Sequence, residues 1–434
     1  MDKMADVLGR AGAWCGQNKY LSAIKNAFQN FMPLTIAGAI GVLWCNVLVN
    51  ESTGLGLFFK PIMALDFLNP AFQAVNFCTI SCITVGITLG IAQEIGVWNM
   101  GAERAGYIPG LVGLAAWLSV TNTSHMVDGA KEAFTGVAGN ELGATGLFTG
   151  MIIGVLSVEL FCFFEKQDAL KIKMPEQVPP GVARAFEVLV PATITLIITA
   201  CIGSACYNLT GLYLNDVIKN GVQGPLGAVG ATIPGVMIIY LVIMLFWLVG
   251  IHGNNMLSAV KEALFTPLAL ENVEAFNKGE TPKNIINMYA LQMWGEFGGS
   301  GVTIGLVIAI MIFGKREDNK AIATLSLVPG LFNINETVTF GIPMVLNPTL
   351  GIPFVFACLV TILVGYVLTV IGFCPVACLT VPWTTPPIVF GFLACGANVM
   401  GAVTQAILIV VSTVIYVPFL ISYEKYQNKQ AAEA

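Results

Sequence analysis

GLFNINETVTFGIP, Gly330–Pro343, holds one charged residue, Glu336. From Ala321 to Tyr423 there is no other Asp, Glu, Lys or Arg. So long a run without charge belongs in hydrocarbon, where dehydrating an ion is expensive. The rest of the chain agrees. Of 434 residues, 56% are hydrophobic and 10% charged, against about 25% charged in a soluble domain. The composition predicts an all-α polytopic membrane protein. The formal net charge of −5 does not set its orientation, because the placement of Lys and Arg does.

Working outward from Glu336, the segment around it is not a plain helix. Residues 325–348 contain Pro329, Pro343 and Pro348 together with Asn333, Asn335 and Asn347. Residues 380–396 open on TVPWTTPPIVFG. Proline removes a backbone donor and breaks helices, and broken backbone at membrane depth is tolerated only inside protein or around a wet cavity. Both segments are expected to be re-entrant hairpins, the kind of break where transporters place substrate.

A spanning helix takes about 20 mostly apolar residues. Stretches that qualify are 28–49, 72–92, 105–120, 142–164, 186–209, 225–249, 288–313, 352–373 and 399–422. One further span is expected to be split. The basic residues Lys166, Lys171, Lys173 and Arg184, then Lys315, Arg316 and Lys320, and finally Lys425 and Lys429 fit an inside location. The expectation is ten spans with both termini cytoplasmic. Residues 1–27 carry Lys3, Arg10, Lys19 and Lys25, with Met4, Val7, Leu8, Ala11, Trp14 and Cys15 at helical spacing. They read as an amphipathic surface helix and not as a cleavable signal.

The semi-polar stretch 212–224, LYLNDVIKNGVQG, divides the chain. Residues 28–211 are expected to serve packing and assembly, and 225–434 to hold substrate. Gly146, Gly150 and Gly154, four apart, make a flat helix face for close contact, within the chain or in a dimer. Eleven cysteines lie almost entirely in apolar runs, with Cys78/Cys82 and Cys374/Cys378 one helical turn apart. No CxxC or Cys/His metal spacing occurs, so they read as packing residues and no metal or cofactor is expected.

Three points carry candidate chemistry. In FWLVGIHGNNML, Phe246–Leu257, His252 lies between glycines and precedes Asn254 and Asn255. No Asp, Glu, Lys or Arg occurs from Gly221 to Val260. A buried imidazole can be satisfied by neighbouring carbonyls, or can donate and accept toward a hydroxyl. Glu336, with Asn333 and Asn335 beside it, must meet a cation, a proton or a polar ligand. In VPWTTPP, Val381–Pro387, prolines fix Trp383, Thr384 and Thr385. An indole offers a flat face for the CH side of a pyranose, and the ring's hydroxyls need carboxylate, amide and imidazole partners. Trp383, Thr384, His252, Asn254, Asn333, Asn335 and Glu336 together suit a neutral sugar. GGSG, Gly298–Gly301, lacks the P-loop Lys-Ser/Thr and reads as a tight turn.

These motifs resemble the membrane (EIIC) component of the bacterial phosphoenolpyruvate-dependent sugar phosphotransferase system, in its lactose–cellobiose–diacetylchitobiose group. The resemblance rests on FMPLTIAGAIG (Phe31–Gly41), LGATGLFTGMIIGVLSVE (Leu142–Glu159) and KMPEQVPPGVARAFEVLVPA (Lys173–Ala192). It continues through GIHG (Gly250–Gly253), GGSGVTIGL (Gly298–Leu306), PGLFNINETVTFGIPMVLNP (Pro329–Pro348) and VPWTTPPIVFGFLACG (Val381–Gly396). It implies a homodimer of ten-helix subunits in the bacterial cytoplasmic membrane, with an elevator-like substrate domain. Glu336 and His252 would face the sugar's primary hydroxyl, and Trp383 would line the pocket. A separate soluble EIIB would donate phosphate from a phosphocysteine, itself supplied through EIIA and the general phosphotransferase proteins. Lipid surrounds the chain, and no nucleic-acid partner is implied. The family usually has proline after the Asn-Glu pair; here it is Thr337, which loosens the restraint on that hairpin. Two rival classes are a proton- or sodium-coupled sugar transporter using Glu336, and a multispanning enzyme acting on a lipid-borne substrate.

Overall fold

The computed structural model describes residues 10, 13–14, 17–51, 56, 58–125, 133–175, 177–225, 230–342, 344–345 and 347–433. The chain forms two compact units. One comprises Gln17–Gly38 and Val75–Gly227; the other comprises Ala39–Ala74 and Ala228–Ala434, together with Met1–Gly16.

The first of these holds α1 (Lys19–Leu43) as far as Gly38, α3 (Ile83–Met100), α4 (Ile108–Val120), α5 (Ala144–Glu165) and α6 (Pro180–Thr210), while α2 (Asn69–Asn76) belongs to the other unit up to Ala74. A two-stranded antiparallel ribbon, β1 (Ser124–His125) and β2 (Phe134–Thr135), lies between α4 and α5. The core forms where apolar side chains recur one helical turn apart. Ile87, Ile91 and Ile95 of α3 are fully buried, and Trp117 of α4 is buried with Ala116, Val120 and Ile153. In a membrane such packing is favoured by close van der Waals contact, since lipid is as apolar as the core.

Gly150 and Gly154 of the α5 glycine stripe face α3 of the same chain, and Gly146 abuts the Glu141 backbone. A Cβ on Gly150 would stand 2.2 Å from Thr88 Oγ1, and one on Gly154 would stand 3.1 Å from Thr88 O. Of the two contacts the stripe could serve, it makes the internal one. At the end of α5, Glu165 is buried between Arg104, at 2.8 Å, and Arg184, at 2.9 Å. Glu187 bridges the same two arginines.

The other unit contains α7 (Ile233–Leu248), α8 (Ser258–Asn277), α9 (Met288–Gly295), α10 (Ile304–Phe313) and α11 (Glu317–Leu331). It continues with α12 (Glu336–Gly341), α13 (Pro348–Val370), α14 (Val389–Ala394) and α15 (Val399–Glu433). α15 packs along both α10 and α13. Its Glu424, nearly buried, accepts the Lys315 N–H at 2.8 Å and the Asn319 amide at 3.1 Å, which fixes the turn into α11.

Among the described residues, five helices are long and apolar enough to cross a membrane: Lys19–Leu48, Ala144–Glu165, Pro180–Thr210, Thr349–Val370 and Val399–Lys429. Two bent pairs raise the number to seven, and Ile108–Val120 and Ile233–Leu248 are shorter apolar helices. Two stretches expected as unbroken spans are broken. The helix over 72–92 bends by 42° at Cys82, and the stretch 288–313 bends by 58° at the glycine turn. The surface helix expected over 1–27 falls largely outside the described residues up to Asn18. From Lys19 onward the chain is already part of the first apolar helix.

Candidate functional site

The site is built on three breaks in the helices of the unit containing Ala228–Ala434. The first break follows α7. His252 caps a single helical turn, Gly253–Met256, and its Nδ1 accepts the Asn255 N–H at 3.3 Å. With Nδ1 committed as an acceptor, the ring's proton is on Nε2. Trp247 stands against the ring, with centroids 4.4 Å apart. A Cβ on Gly253 would stand 2.0 Å from Ile243 O, so only glycine lets this turn press onto α7. Asn254 Oδ1 is buried without a hydrogen-bond partner.

The second break separates α11 from α12. Glu336 is the first residue of α12, where the exposed N–H groups of a helix start favour a negative charge. His252 Nε2 lies 3.9 Å from Glu336 Oε1, with the two side chains 38% and 48% exposed. That gap is too long for a direct hydrogen bond. Asn333, at φ +64°, uses its whole amide within the chain. Its Oδ1 accepts the Gly298 N–H at 2.6 Å, and its Nδ2 donates to Trp383 O at 2.5 Å and Thr385 O at 3.0 Å. Asn335 is buried and donates to Ser300 O at 2.9 Å and Thr339 Oγ1 at 3.1 Å.

The third break is the glycine turn between α9 and α10. Gly299 has φ +88°, and a Cβ there would stand 2.5 Å from Asn335 Cβ. The run Gly298–Gly301 is therefore a socket for the two asparagines before Glu336. The 380–396 segment closes as a hairpin, its ends joined by Cys378 N–H and Leu379 N–H donating to Ala394 O at 2.8 and 3.1 Å. Gln405 braces it, accepting from Ile388 N–H at 2.7 Å and Gly391 N–H at 2.8 Å while donating to Met293 O at 3.2 Å. Trp383 at its tip is 44% exposed and Thr384 is partly buried.

A second carboxylate in this unit is closed off. Glu296 pairs with Lys261 and accepts from Tyr240 Oη at 2.7 Å. Lys261 and Tyr240 are both buried. Sequence reading missed this pair because its members stand 35 residues apart, in Ser258–Asn277 and just past Gly295. The one available signal was Lys261 itself, a cation close behind His252. Among the described residues, no group of three or more His, Cys, Asp or Glu is arranged to hold a metal.

Residues 25–358 match the family described as Phosphotransferase system, EIIC. The chain is 32% identical to the oligo-beta-mannoside-specific EIIC component of Bacillus subtilis (strain 168), over 98% of this chain and 94% of that one. It is 29% identical to the cellobiose-specific EIIC component of Lactococcus lactis subsp. lactis (strain IL1403), with 98% of each covered. It is also similar to the crystal structure of ChbC, the IIC component from the N,N'-diacetylchitobiose-specific phosphotransferase system. There the TM-score is 0.88 at 29% identity, and 97% of each chain is covered.

Proposed function

Because the chain belongs to the phosphotransferase-system EIIC family, we propose that it carries a disaccharide of the cellobiose, lactose or diacetylchitobiose class across the bacterial cytoplasmic membrane for phosphorylation. The observation that supports this most is the 3.9 Å gap between His252 Nε2 and Glu336 Oε1. One hydroxyl oxygen can sit roughly 2.7–2.9 Å from both atoms at once, accepting from the imidazole and donating to the carboxylate. The sugar's primary hydroxyl takes that position. Glu336 orients it and receives its proton as the oxygen attacks the phosphorus of a phosphocysteine on a soluble EIIB partner; the P–S bond breaks and the cysteine leaves as thiolate. Phosphoryl transfer depends mainly on positioning, and His252 fixes the nucleophile's direction. The phosphate added carries about two negative charges, and once Glu336 has passed its proton to water, repulsion between the two favours release.

Trp383 stacks on the pyranose face, Thr384 offers a hydroxyl beside it, and the unpartnered Asn254 Oδ1 accepts from a second sugar hydroxyl. Asn333 and Asn335, also expected as sugar contacts, are assigned to holding the turn before Glu336. Their amides are engaged by Gly298, Trp383, Thr385, Ser300 and Thr339. Delivery proceeds by elevator-like displacement of the substrate-binding part of the chain. The protomers pair as a homodimer with both termini cytoplasmic, on a face other than the glycine stripe of α5.

The test is Glu336→Gln. Purified protein should still bind cellobiose, lactose or diacetylchitobiose by calorimetry. Phosphorylation with EIIB and the phosphoenolpyruvate-fed proteins should fall by about 10²–10⁴-fold, the range for a lost general base. Unchanged phosphorylation would remove Glu336 from the mechanism. Sugar accumulation in vesicles without any phosphoryl donor would favour ion-coupled transport.

A further inference from the structure

A group of sulfur atoms lies behind the 380–396 hairpin, apart from the sugar-facing residues. Cys374 Sγ and Cys395 Sγ are 3.9 Å apart, and Cys395 Sγ is 3.8 Å from Met293 Sδ. All three residues are buried. Both thiols share one weak acceptor, Pro375 O, at 3.4 and 3.3 Å. The hydroxyl of Thr404 is fully buried without a hydrogen-bond partner.

We propose that Cys374, Cys395 and Met293 form a three-sulfur binding site for a soft monovalent cation of the Cu(I) class. Two thiols and a thioether are the donors such ions select over oxygen-seeking or tetrahedral metals. Each of the two sulfur–sulfur distances, 3.9 and 3.8 Å, lets one ion bridge the pair at about 2.3 Å from either sulfur, the length of a metal–thiolate bond. On binding, the two S–H bonds break and both protons pass to water. Two metal–thiolate bonds and one metal–thioether bond form, and neither copper nor sulfur changes oxidation state. One cation and two thiolates leave one negative charge on the site. Cys374 follows α13 and Cys395 follows α14. The bound ion therefore joins both ends of the segment that carries Trp383.

The experiment uses the full-length reduced protein without oxygen, titrated with Cu(I) in competition with a chromophoric chelator, and separately with Ag(I), which does not cycle redox state. The expected result is one high-affinity ion per chain with three sulfur neighbours by X-ray absorption. Cys395→Ser should weaken binding by about 100-fold and Met293→Leu by about 10-fold, while Cys378→Ser should bind as wild type, as expected for soft-donor ligation. Sugar binding by each variant confirms that it is folded. Equal affinity in Cys395→Ser overturns the assignment. So does a Cys374–Cys395 disulfide found by peptide mass in protein kept aerobic, with no metal taken up after reduction.

Discussion

Glu296 and Glu336 are two carboxylates in one compact unit, and they are treated in opposite ways. Glu296 is locked by Lys261 and the Tyr240 hydroxyl, with side-chain exposures of 7% for Lys261 and 17% for Glu296. Glu336 is 48% exposed and, among the described residues, is paired only with an imidazole, across a gap. The first has every reason to be where it is without a ligand. The second stands at a helix start with no Lys or Arg paired to it among the described residues. A buried acid is thus no signal of function by itself, because the partners it lacks distinguish a working group from a brace.

The sharpest way to break this contrast is to remove the partner of the closed acid. Lys261→Met should destabilise the protein by about 3–5 kcal/mol, since it leaves a buried charge uncompensated. The double variant Lys261→Met/Glu296→Leu should regain most of that, as read by thermal unfolding in detergent. Glu336→Gln should shift stability by less than about 0.5 kcal/mol, despite its effect on phosphorylation. A large stability loss there would mean that Glu336 is also a brace.

A smaller effect is expected at the socket. Gly299→Ala forces a side chain to φ +88° and against Asn335, a strain of about 1–3 kcal/mol. It should weaken sugar binding by displacing the turn before Glu336, and calorimetry with unchanged affinity would count against the socket. The smallest effect sets the zero of the scale. Arg316 and Asp318 form an exposed two-point pair, with contacts of 3.0 and 2.6 Å, and such pairs add little. Asp318→Asn should leave the unfolding temperature unchanged at neutral pH. The Arg316 guanidinium holds the Asp318 carboxyl below its usual range. Any stability the pair supplies is therefore present above about pH 4 and lost as pH falls through the lowered folded value.

The helices were legible in the sequence because hydrocarbon demands long apolar runs, and Pro180–Thr210 and Val399–Lys429 follow directly from that demand. The same rule joined 288–313 into one span across its 58° break, and only the GGSG run inside it, read as a tight turn, marked the place. His252, Glu336 and Trp383 stood out as isolated polar or aromatic points in charge-free or proline-fixed stretches. The roles of Asn333 and Asn335 did not, because an amide's type says nothing about which backbone atoms it will find. Those partners, Gly298 and Ser300 on one side and Trp383 and Thr385 on the other, come from segments far apart in the chain. The sulfur group was invisible for the same reason. Cys374 and Cys378 are neighbours by spacing, but Cys374 and Cys395 are neighbours in the fold.

The amide of Asn333 has a mechanical implication. By clasping Trp383 O, Thr385 O and Gly298 N–H together, it rivets the walls around Glu336 to one another. These walls cannot part like jaws without shearing three hydrogen bonds beside a charged group. The proposed transport of a sugar held there therefore favours movement of the whole compartment over the opening of a gate.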